Sequence, residues 1–319
     1  MNILLLMGGW SSERDVSLAG CAAVEKTLVA LGHTVTRFDP QFSLTGLLAA
    51  AEKADFAFLG LHGSPGEDGL VQALLETVGC PYQGAGPAAS FLALNKAAAK
   101  ELFRHHGLPT ADWALLPRRP ERGWKPPFPL PLFIKGNTGG SSLGMERVTA
   151  PEDIEPALDR LFTQGGEYIV EPEISGYELT CGVLAKPEGG EEALPPILIR
   201  PKASPNGDGA FFDYVSKYTP GGAEEICPAP IPQELSAAIQ EAALAVHRLL
   251  GLSDYSRTDF IVKSDGSFVV LEVNTLPGMT TTSLVPQEAA AAGISFGQLL
   301  ERLIACGLAD ARKTRNRRQ

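Results

Sequence analysis

The stretch that decides the fold is RTDFIVKSDGSFVVLEVNTLPGMTTTS, residues 257–283. Two runs in which apolar and polar residues alternate flank a central Ser-Asp-Gly-Ser segment, and Asp-Gly is a strong signal for a tight hairpin turn. The sequence therefore predicts two antiparallel strands joined by a two-residue loop at Asp265 and Gly266. In that register Ser264 faces Ser267 across the loop.

Counting outward from the loop pairs Asp259 with Glu272 and Arg257 with Asn274, all on one face of the hairpin. Two carboxylates placed directly opposite each other repel, and a divalent cation between them reverses the sign of that interaction. Two carboxylates and an amide offer the hard oxygen ligands that suit Mg²⁺, which proteins commonly share with substrate phosphates. Arg257 beside them suits an anion or a developing oxyanion.

The alternative interpretation is a surface hairpin whose acids only face water. The opposite face argues against it, because that face is apolar and must be buried; its residues are Phe260, Val262, Val269, Leu271 and Val273. We therefore expect a ligand or another part of the chain to lie over the acidic face. The turn that follows, residues 274–278, exposes backbone N–H groups beside the predicted metal.

The composition is typical of a globular protein whose main partner is not a nucleic acid. With 319 residues the chain has room for two or three domains, and 44 % apolar with 20 % charged residues is ordinary for a soluble protein. The net charge is −10, although residues 311–319 are rich in Arg and Lys. An acidic body disfavours nucleic-acid binding, and we interpret the basic tail, 309–319, as disordered.

The cysteines and the apolar runs of the sequence indicate the cellular compartment in which the protein is expected. The five cysteines are scattered singly, as is typical of buried free thiols in a reducing environment. The first apolar run ends at Gly8 without a basic segment before it, so it predicts a β-strand and not a signal peptide. No apolar stretch is long enough to span a bilayer. We therefore expect a cytoplasmic protein without a membrane partner.

The N-terminal segment predicts a βαβ unit with a strand at 2–7, a helix at 16–31 and a strand at 34–38. The loop after the first strand lies where open α/β sheets bind ligands. Its sequence, GGWSSE, lacks the GxGxxG pattern, which disfavours a nicotinamide site. Glu13 in this loop could hold an amine, or it could simply complement the dipole of the helix.

One further loop is a candidate for ligand binding, and it is followed by a lysine that the resemblance described below makes relevant. A strand predicted at 55–60 leads into LHGSPGEDG, a glycine-rich loop that carries His62 and is typical of a ligand loop. Lys96 begins a predicted helix for which Asn95 is a plausible cap. Taken alone, Lys96 would be a surface lysine.

A second glycine-rich loop, residues 136–144, lies between strands predicted at 132–135 and 145–148, with Lys135 at its mouth. Such a loop can cover phosphates with backbone N–H groups, as in kinases. It is not a Walker A loop, because no GK[ST] leads into a helix. A flexible Gly/Ser hairpin without a binding role is the alternative.

Two segments of the second half could enclose a nucleotide. The strand predicted at 168–171 runs into EPEISGYE, where backbone groups could read a purine and Glu178 could reach a ribose; a surface turn is the alternative. Residues 202–222 form a long loop with several aromatic side chains. Because loops of this length in a compact domain are usually functional or disordered, we interpret it as an ordered lid.

Taken together, these segments resemble those of a known protein family. Over nearly its whole length the chain resembles the D-alanine–D-alanine ligases of bacterial wall synthesis, which belong to the ATP-grasp superfamily. The segments concerned are GGWSSERDVSL, GLHGSPGEDG, KGNTGGSSLGM, EPEISGYE, FFDYVSKY, SRTDF and LEVNTLPGMTTTSLVP. The last of these is the most specific.

The resemblance implies an α/β protein with an α+β ATP-grasp fold. It implies a Rossmann-like pre-ATP-grasp domain at 1–95, a central ATP-grasp subdomain at 96–180 and a C-terminal subdomain at 181–308 that carries the lid loop. It also implies that ATP lies between the last two, that two D-alanine molecules are joined for peptidoglycan synthesis, and that the protein is a homodimer.

The resemblance also assigns roles to residues. Two Mg²⁺ ions, for which Mn²⁺ can substitute, would be held by Asp259, Glu272 and Asn274. The nucleotide would be contacted by Lys96, Lys135, Glu171, Ile174 and Glu178. The first D-alanine would be received by Glu13 and His62 and enclosed, together with the ATP phosphates, by Ser141, Lys217 and Tyr218. The oxyanion would meet Arg257 and the N–H of Gly278, and the second D-alanine would meet Ser283 and Leu284.

Three features depart from the family pattern or refine it. The loop after Lys135 lacks the proline and the charged pair that are common there. This should loosen the loop and change the affinity for the nucleotide, but not the chemistry. Trp10 replaces a residue that is usually smaller, and the pair Lys217–Tyr218 favours an amine acceptor over D-lactate. Two alternatives stay open: an ATP-grasp ligase for another carboxylate and nucleophile, and a non-catalytic nucleotide-binding sensor that keeps the fold.

Overall fold

The structure is a computed structural model that describes residues 1–139, 144–201 and 223–310, and structural statements here concern those ranges. Its first part is a parallel three-stranded sheet with strand order β2-β1-β3. The elements of this part are β1 (Asn2–Leu6), α1 (Arg14–Ala30), β2 (Thr34–Phe38), α2 (Leu44–Ala51), β3 (Phe56–Leu59) and α3 (Leu70–Thr77). The predicted βαβ unit is thus confirmed, with element ends shifted by one or two residues.

The second part is an antiparallel four-stranded sheet with strand order β4-β7-β5-β6. Its elements are α4 (Pro87–Leu94), α5 (Lys96–His105), β4 (Ala114–Leu116), β5 (Leu132–Gly136), β6 (Met145–Val148), a 3₁₀ turn (Pro151–Asp153), α6 (Ile154–Phe162) and β7 (Tyr168–Pro172). The predicted cap of α5 is confirmed, because the Asn95 side chain accepts a hydrogen bond from the N–H of Ala98 at 3.0 Å.

The third part is a six-stranded sheet in which β11-β10-β8-β12-β13 lie in that order and β9 pairs with β8. Its elements are β8 (Tyr177–Ala185), β9 (Glu191–Ala193), β10 (Ile197–Pro201), β11 (Ala223–Ile226), α7 (Gln233–Leu249), β12 (Tyr255–Val262), β13 (Phe268–Asn274), α8 (Leu284–Ala291) and α9 (Phe296–Ala309). The long β8–β12 pair places Arg257 opposite Gly182, Asp259 opposite Thr180 and Ile261 opposite Glu178.

The last two helices return the chain to its beginning. The apolar core of the first sheet contains Leu299 and Leu303 of α9 and Val285 of α8, together with Ile3 and Leu5 of β1. Among the described residues no single helix has the length and apolar composition needed to cross a membrane. The helices α8 and α9 have that length and composition only when taken together, and they are bent by 104° relative to each other.

The β12–β13 hairpin confirms the predicted pairs at the site and corrects the turn. Arg257 pairs with Asn274 and Asp259 with Glu272, but the register shifts between Asp259 and Phe260, which pairs with Val270. Leu271 is therefore the extra residue of a β-bulge.

The loop of this hairpin has three residues, not two. The N–H of Lys263 donates to Ser267 O at 2.8 Å, and Gly266 adopts a positive φ of 82°, as the third position of such a loop requires. The prediction that Ser264 faces Ser267 was therefore wrong.

The predicted pairs at the site are correct because the bulge shifts the register back by the one residue that the longer loop had added. The bulge also places Val270, which is fully buried, in the core where Leu271 was expected, and Leu271 is only half-buried.

Candidate active site

The predicted metal hairpin holds a buried ion pair between Arg257 and Asp259. Arg257 Nε donates to Asp259 Oδ1 and Nη2 donates to Oδ2, both at 2.9 Å. Thr180 on the neighbouring strand donates from its hydroxyl to Asp259 Oδ1 at 2.6 Å. Burial alone would lower the pKa of Arg257, but Asp259 outweighs it and raises the pKa well above the ordinary value. The guanidinium is therefore a fixed positive charge on the acidic face.

The second carboxylate of the hairpin has a different cation. Lys96 Nζ lies 3.1 Å from Glu272 Oε2. Asn274 Oδ1 accepts a hydrogen bond from the N–H of Leu276 at 3.0 Å. The carboxylates of Asp259 and Glu272 thus lie on one face without unbalanced repulsion, because each is matched by a basic side chain.

This donor set fits a magnesium ion. Among the described residues there is no cluster of three or more His, Cys, Asp or Glu side chains able to enclose a metal, whereas Mg²⁺ is usually held by one or two carboxylates together with water and substrate phosphates. Asp259 and Glu272 supply two carboxylates on one face of the hairpin, and Asn274 adds an amide oxygen. The set suits a cation that also binds a polyphosphate.

A second charged group lies on the four-stranded sheet. The Glu171 carboxylate lies between two lysines, with Lys135 Nζ 2.5 Å from Oε2 and Lys100 Nζ 2.7 Å from Oε1. Burial would raise the pKa of Glu171, but Lys135 and Lys100 outweigh it and lower the pKa. Burial would lower the pKa of Lys135, which Glu171 and Glu272 instead raise. Glu171 and Lys135 are therefore held in their charged forms, whereas burial lowers the pKa of Lys100 against the opposing effect of Glu171.

The structure gives the predicted nucleotide residues different degrees of burial. Lys96 and Glu171 are 8 % and 4 % exposed, so neither is the surface residue that the alternative interpretations required. The carboxylate of Glu171 faces the two lysines. Ile174 is half-buried in the turn after β7, and Glu178 lies on β8 two residues from Thr180. Because residues of a strand alternate between faces, Glu178 and Thr180 share the face of Asp259.

Of the two predicted first-substrate residues, His62 contacts the turn after β13. The imidazole Nδ1–H of His62 donates to Leu276 O at 3.1 Å. Glu13 is 8 % exposed and precedes the first residue of α1, to which its side chain makes no cap hydrogen bond. Its place at the helix N-terminus leaves the dipole interpretation open.

Sequence reasoning missed Glu67 in the same pocket. Its carboxylate accepts from the N–H groups of Gly63 at 3.0 Å and of Thr275 and Leu276 at 3.1 Å. Burial and the nearby Glu13 raise the pKa of Glu67. Its position within the quoted GSPGEDG loop was the available signal, but the sequence does not show that the loop contacts the turn some 200 residues later.

Gly278 and Ser283 lie side by side. A Cβ added to Gly278 would lie 2.8 Å from Ser283 Oγ. Ser283 precedes α8, whose first residue is Leu284, and its hydroxyl accepts from the N–H of Thr280 at 3.0 Å. The N-terminal end of a helix attracts carboxylates through its free N–H groups and its dipole.

Glu288 is a buried acid that the sequence did not indicate. It is 0 % exposed, and Oε1 accepts from the N–H of Gly182 at 3.0 Å while Oε2 has no hydrogen-bond partner. Burial raises the pKa of Glu288 to about 8, against the opposing effects of the Gly182 hydrogen bond and Arg257. Gly182 is the cross-strand partner of Arg257, so this acid lies beside the predicted oxyanion residue.

Three predicted residues and two segments lie outside the described residues. They are Ser141, Lys217, Tyr218, the predicted lid at 202–222 and the tail at 311–319.

Comparison with known proteins agrees with this geometry. The protein-family model described as "D-ala D-ala ligase C-terminus" matches residues 102–305, and "D-ala D-ala ligase N-terminus" matches residues 36–85. The chain belongs to the D-alanine–D-alanine ligase family.

Similar curated proteins bear the family name. The D-alanine–D-alanine ligase of Nitratidesulfovibrio vulgaris (strain Hildenborough) is 62 % identical over 311 residues, covering 98 % of this chain and 99 % of that protein. The ligase of Oleidesulfovibrio alaskensis is 62 % identical over 309 residues, covering 97 % of each.

Solved structures of the family share the fold. The crystal structure of the D-alanine–D-alanine ligase from Bacillus anthracis complexed with ATP has a TM-score of 0.83 and 33 % identity, covering 98 % of this chain and 99 % of that one. The expected α/β architecture with an ATP-grasp fold is therefore confirmed.

Proposed function

We propose that this protein is an ATP-dependent ligase that joins two D-alanine molecules into D-alanyl-D-alanine for peptidoglycan synthesis. The observation that carries the proposal is the hairpin on which Arg257 and Asp259 form a two-pronged ion pair opposite Glu272 and Asn274. The names of the relatives at 62 % identity agree with it. The reaction requires a polyphosphate site and an oxyanion site side by side, and these four residues offer both.

The nucleotide is assigned to the space between the four-stranded and six-stranded sheets. In this assignment Lys96 and Lys135 contact phosphates, residues 171–174 flank the adenine and Glu178 reaches the ribose. Support comes from Lys96, which bridges the two regions by pairing with Glu272 at 3.1 Å from the start of α5. The domain boundaries at 95, 180 and 308 belong to the same proposal.

Magnesium is assigned to Asp259, Glu272 and Asn274, as two ions for which Mn²⁺ can substitute. When bound, the metal would neutralise negative charge on the phosphates. Lys96 and Lys135 then hold the terminal phosphate in line with the carboxylate of the first D-alanine, and transfer gives an acyl phosphate and ADP. Positioning and charge neutralisation supply most of the rate enhancement in such transfers.

The amine of the second D-alanine then attacks the acyl carbon of the acyl phosphate to form a tetrahedral intermediate, which collapses to the peptide bond as inorganic phosphate leaves and the amine loses its proton. We assign the resulting oxyanion to Arg257 and the N–H of Gly278, and the carboxylate of the attacking D-alanine to Ser283 and Leu284 at the start of α8. The contact between Gly278 and Ser283 supports a shared site. Glu13 and His62 receive the amine and carboxylate ends of the first D-alanine, and Ser141, Lys217 and Tyr218 keep the roles that the family resemblance gives them.

The deciding experiment measures phosphate release and dipeptide formation from ATP and Mg²⁺. With D-alanine we expect one phosphate released per D-alanyl-D-alanine formed, and little of either with L-alanine. D-lactate with D-alanine should yield no ester. Equal turnover of another amino-acid pair would identify a different ATP-grasp ligase, and nucleotide binding without turnover would identify a sensor.

Two further assignments complete the proposal. We propose a homodimer and a cytoplasmic location, as the family resemblance and the scattered cysteines suggest. Sedimentation of the purified protein tests the first and cell fractionation tests the second.

A further inference from the structure

Lys100 is a buried lysine that the proposed reaction does not use directly. It is 1 % exposed, and its ammonium lies 2.7 Å from Glu171 Oε1. The same ammonium donates to Thr110 Oγ1 at 2.8 Å and to Ala111 O at 3.3 Å. A lysine is almost never fully buried unless it is paired, so this position needs a reason.

The partners of Lys100 join the two sheets that flank the proposed nucleotide site. Glu171 belongs to β7 of the four-stranded sheet. Thr110 donates its hydroxyl hydrogen to Val270 O at 2.9 Å, and the N–H of Val270 donates to Pro109 O at 2.8 Å. Val270 lies on β13 at the bulge, two residues from Glu272. Lys100 thus connects the phosphate-side carboxylate to the metal hairpin.

The charges of Glu171 and of the two lysines beside it determine how strongly Lys135 is held. Lys100 and Lys135 each approach one oxygen of the same carboxylate. With both lysines present the group has a net charge of about +1, so positive charge is left over for an anion. Without Lys100, the whole negative charge of Glu171 would act on Lys135 and the net charge would fall to zero.

We propose that Lys100 is a positioning residue that shares the charge of Glu171 and thereby leaves the ammonium of Lys135 available to an ATP phosphate. The inference rests on the proposed function, because it assumes a nucleotide phosphate beside Lys135. Lys100 itself contacts no substrate in this assignment. Its neighbour one helical turn earlier, Lys96, contacts the metal hairpin directly.

The test is ADP binding by titration calorimetry with three variants. Lys100→Met should weaken ADP binding at least about tenfold, within the range seen when supporting residues of a charged site are removed. Lys100→Met combined with Glu171→Gln restores the net charge, leaves an amide oxygen for Lys135 and keeps the backbone groups of residue 171, which are the part assigned to the purine. This double variant should bind ADP within about threefold of wild type.

The control is Lys53→Met, which removes an exposed lysine and should leave ADP binding unchanged. A merely structural role for Lys100 predicts no recovery in the double variant, so failure to recover would overturn the proposal, as would wild-type affinity in Lys100→Met. If Lys100→Met does not fold, as judged by thermal melting, Lys100→Gln decides. It should also weaken ADP binding at least about tenfold, and wild-type affinity would overturn the proposal.

Measuring ADP binding tests this inference separately from the proposed function, because it does not require the protein to join D-alanine. A wild-type protein that binds ADP but does not join D-alanine would contradict the proposed function and leave the role of Lys100 to be decided by the variants. In an active protein, Lys100→Met should raise the KM for ATP and leave the KM for D-alanine unchanged.

Discussion

Asp259 lies directly across the hairpin from Glu272, and each carboxylate is matched by its own cation. Arg257 holds Asp259 through two hydrogen bonds of 2.9 Å, and Lys96 lies 3.1 Å from Glu272. The two acids can therefore stand opposite each other in the described structure before any ligand binds. In the proposed site, a metal ion would add positive charge and a polyphosphate negative charge beside these two pairs.

Asp259→Asn and Glu272→Gln should each lower ligation by at least about 10²-fold, because each removes a carboxylate from the proposed metal site. Both variants should stay folded, since the amide keeps the shape of the side chain and an oxygen that can accept the hydrogen bond of Thr180 at position 259. Dipeptide formation and thermal melting measure the two effects.

Asp265→Asn is the matched control for these two variants. It changes an exposed acid in the loop of the same hairpin and should leave turnover unchanged. Turnover of Asp259→Asn near that of this control would remove the metal assignment. A chelator should abolish wild-type turnover, and excess Mg²⁺ should restore it.

Arg257→Lys should lower kcat by about 10²–10³-fold, the usual loss when one oxyanion donor is removed. Lysine keeps the positive charge, but it cannot form the planar two-pronged pair with Asp259 that fixes the guanidinium. Because the change affects the oxyanion and not the nucleotide, the KM for ATP should stay within about threefold of wild type. A rise in KM with unchanged kcat would place Arg257 in substrate binding instead.

Glu288→Gln should alter how stability depends on pH. In the folded protein the pKa of Glu288 is raised to about 8 from the ordinary 4.5, so between these values the folded state keeps a proton that the unfolded chain releases. The contribution of this group to the free energy of unfolding is therefore full below pH 4.5 and is lost as the pH rises towards 8, at up to about 1.4 kcal/mol per pH unit.

A glutamine at position 288 cannot ionise, so the free energy of unfolding of the variant does not fall with pH for this reason. We therefore expect Glu288→Gln and wild type to unfold at similar urea concentrations at pH 5, and the variant to become the more stable of the two by pH 8. Parallel pH profiles for the two proteins would show that Glu288 is ionised in the folded state throughout this range.

The hairpin shows which structural features could be predicted from the sequence and which could not. Alternation of apolar residues and the Asp-Gly turn signal were enough to predict two strands and the pairing of Asp259 with Glu272. Neither signal distinguishes a two-residue loop from a three-residue loop with a bulge, because Gly266 suits both. The site pairs were right because the bulge at Leu271 compensates for the longer loop.

The residues that the sequence did not reveal are those whose partners are distant along the chain. Lys100 contacts Glu171, Glu67 contacts the turn at Thr275, and Glu288 contacts Gly182. A lysine or glutamate on a helix or loop is a solvated surface residue by default, and only the tertiary fold shows that these are buried. Lys96 was assigned to the site through the family resemblance alone, for the same reason.

Gly182→Ala should destabilise the protein by about 1–3 kcal/mol, the typical cost of overfilling a packed core. An added Cβ would lie 2.4 Å from Glu288 Oε2 and 3.1 Å from Leu194 Cδ1, and Glu288 cannot turn towards solvent because it is fully buried. Gly136→Ala is the control, since an added Cβ there meets nothing within 4 Å. Combining Gly182→Ala with Glu288→Ala should recover part of the loss, because the carboxyl that collides with the new methyl group is gone. Urea unfolding of Gly182→Ala, Glu288→Ala, the double variant and the control Gly136→Ala measures this coupling, and strictly additive losses would show that the two side chains do not compete for the same space.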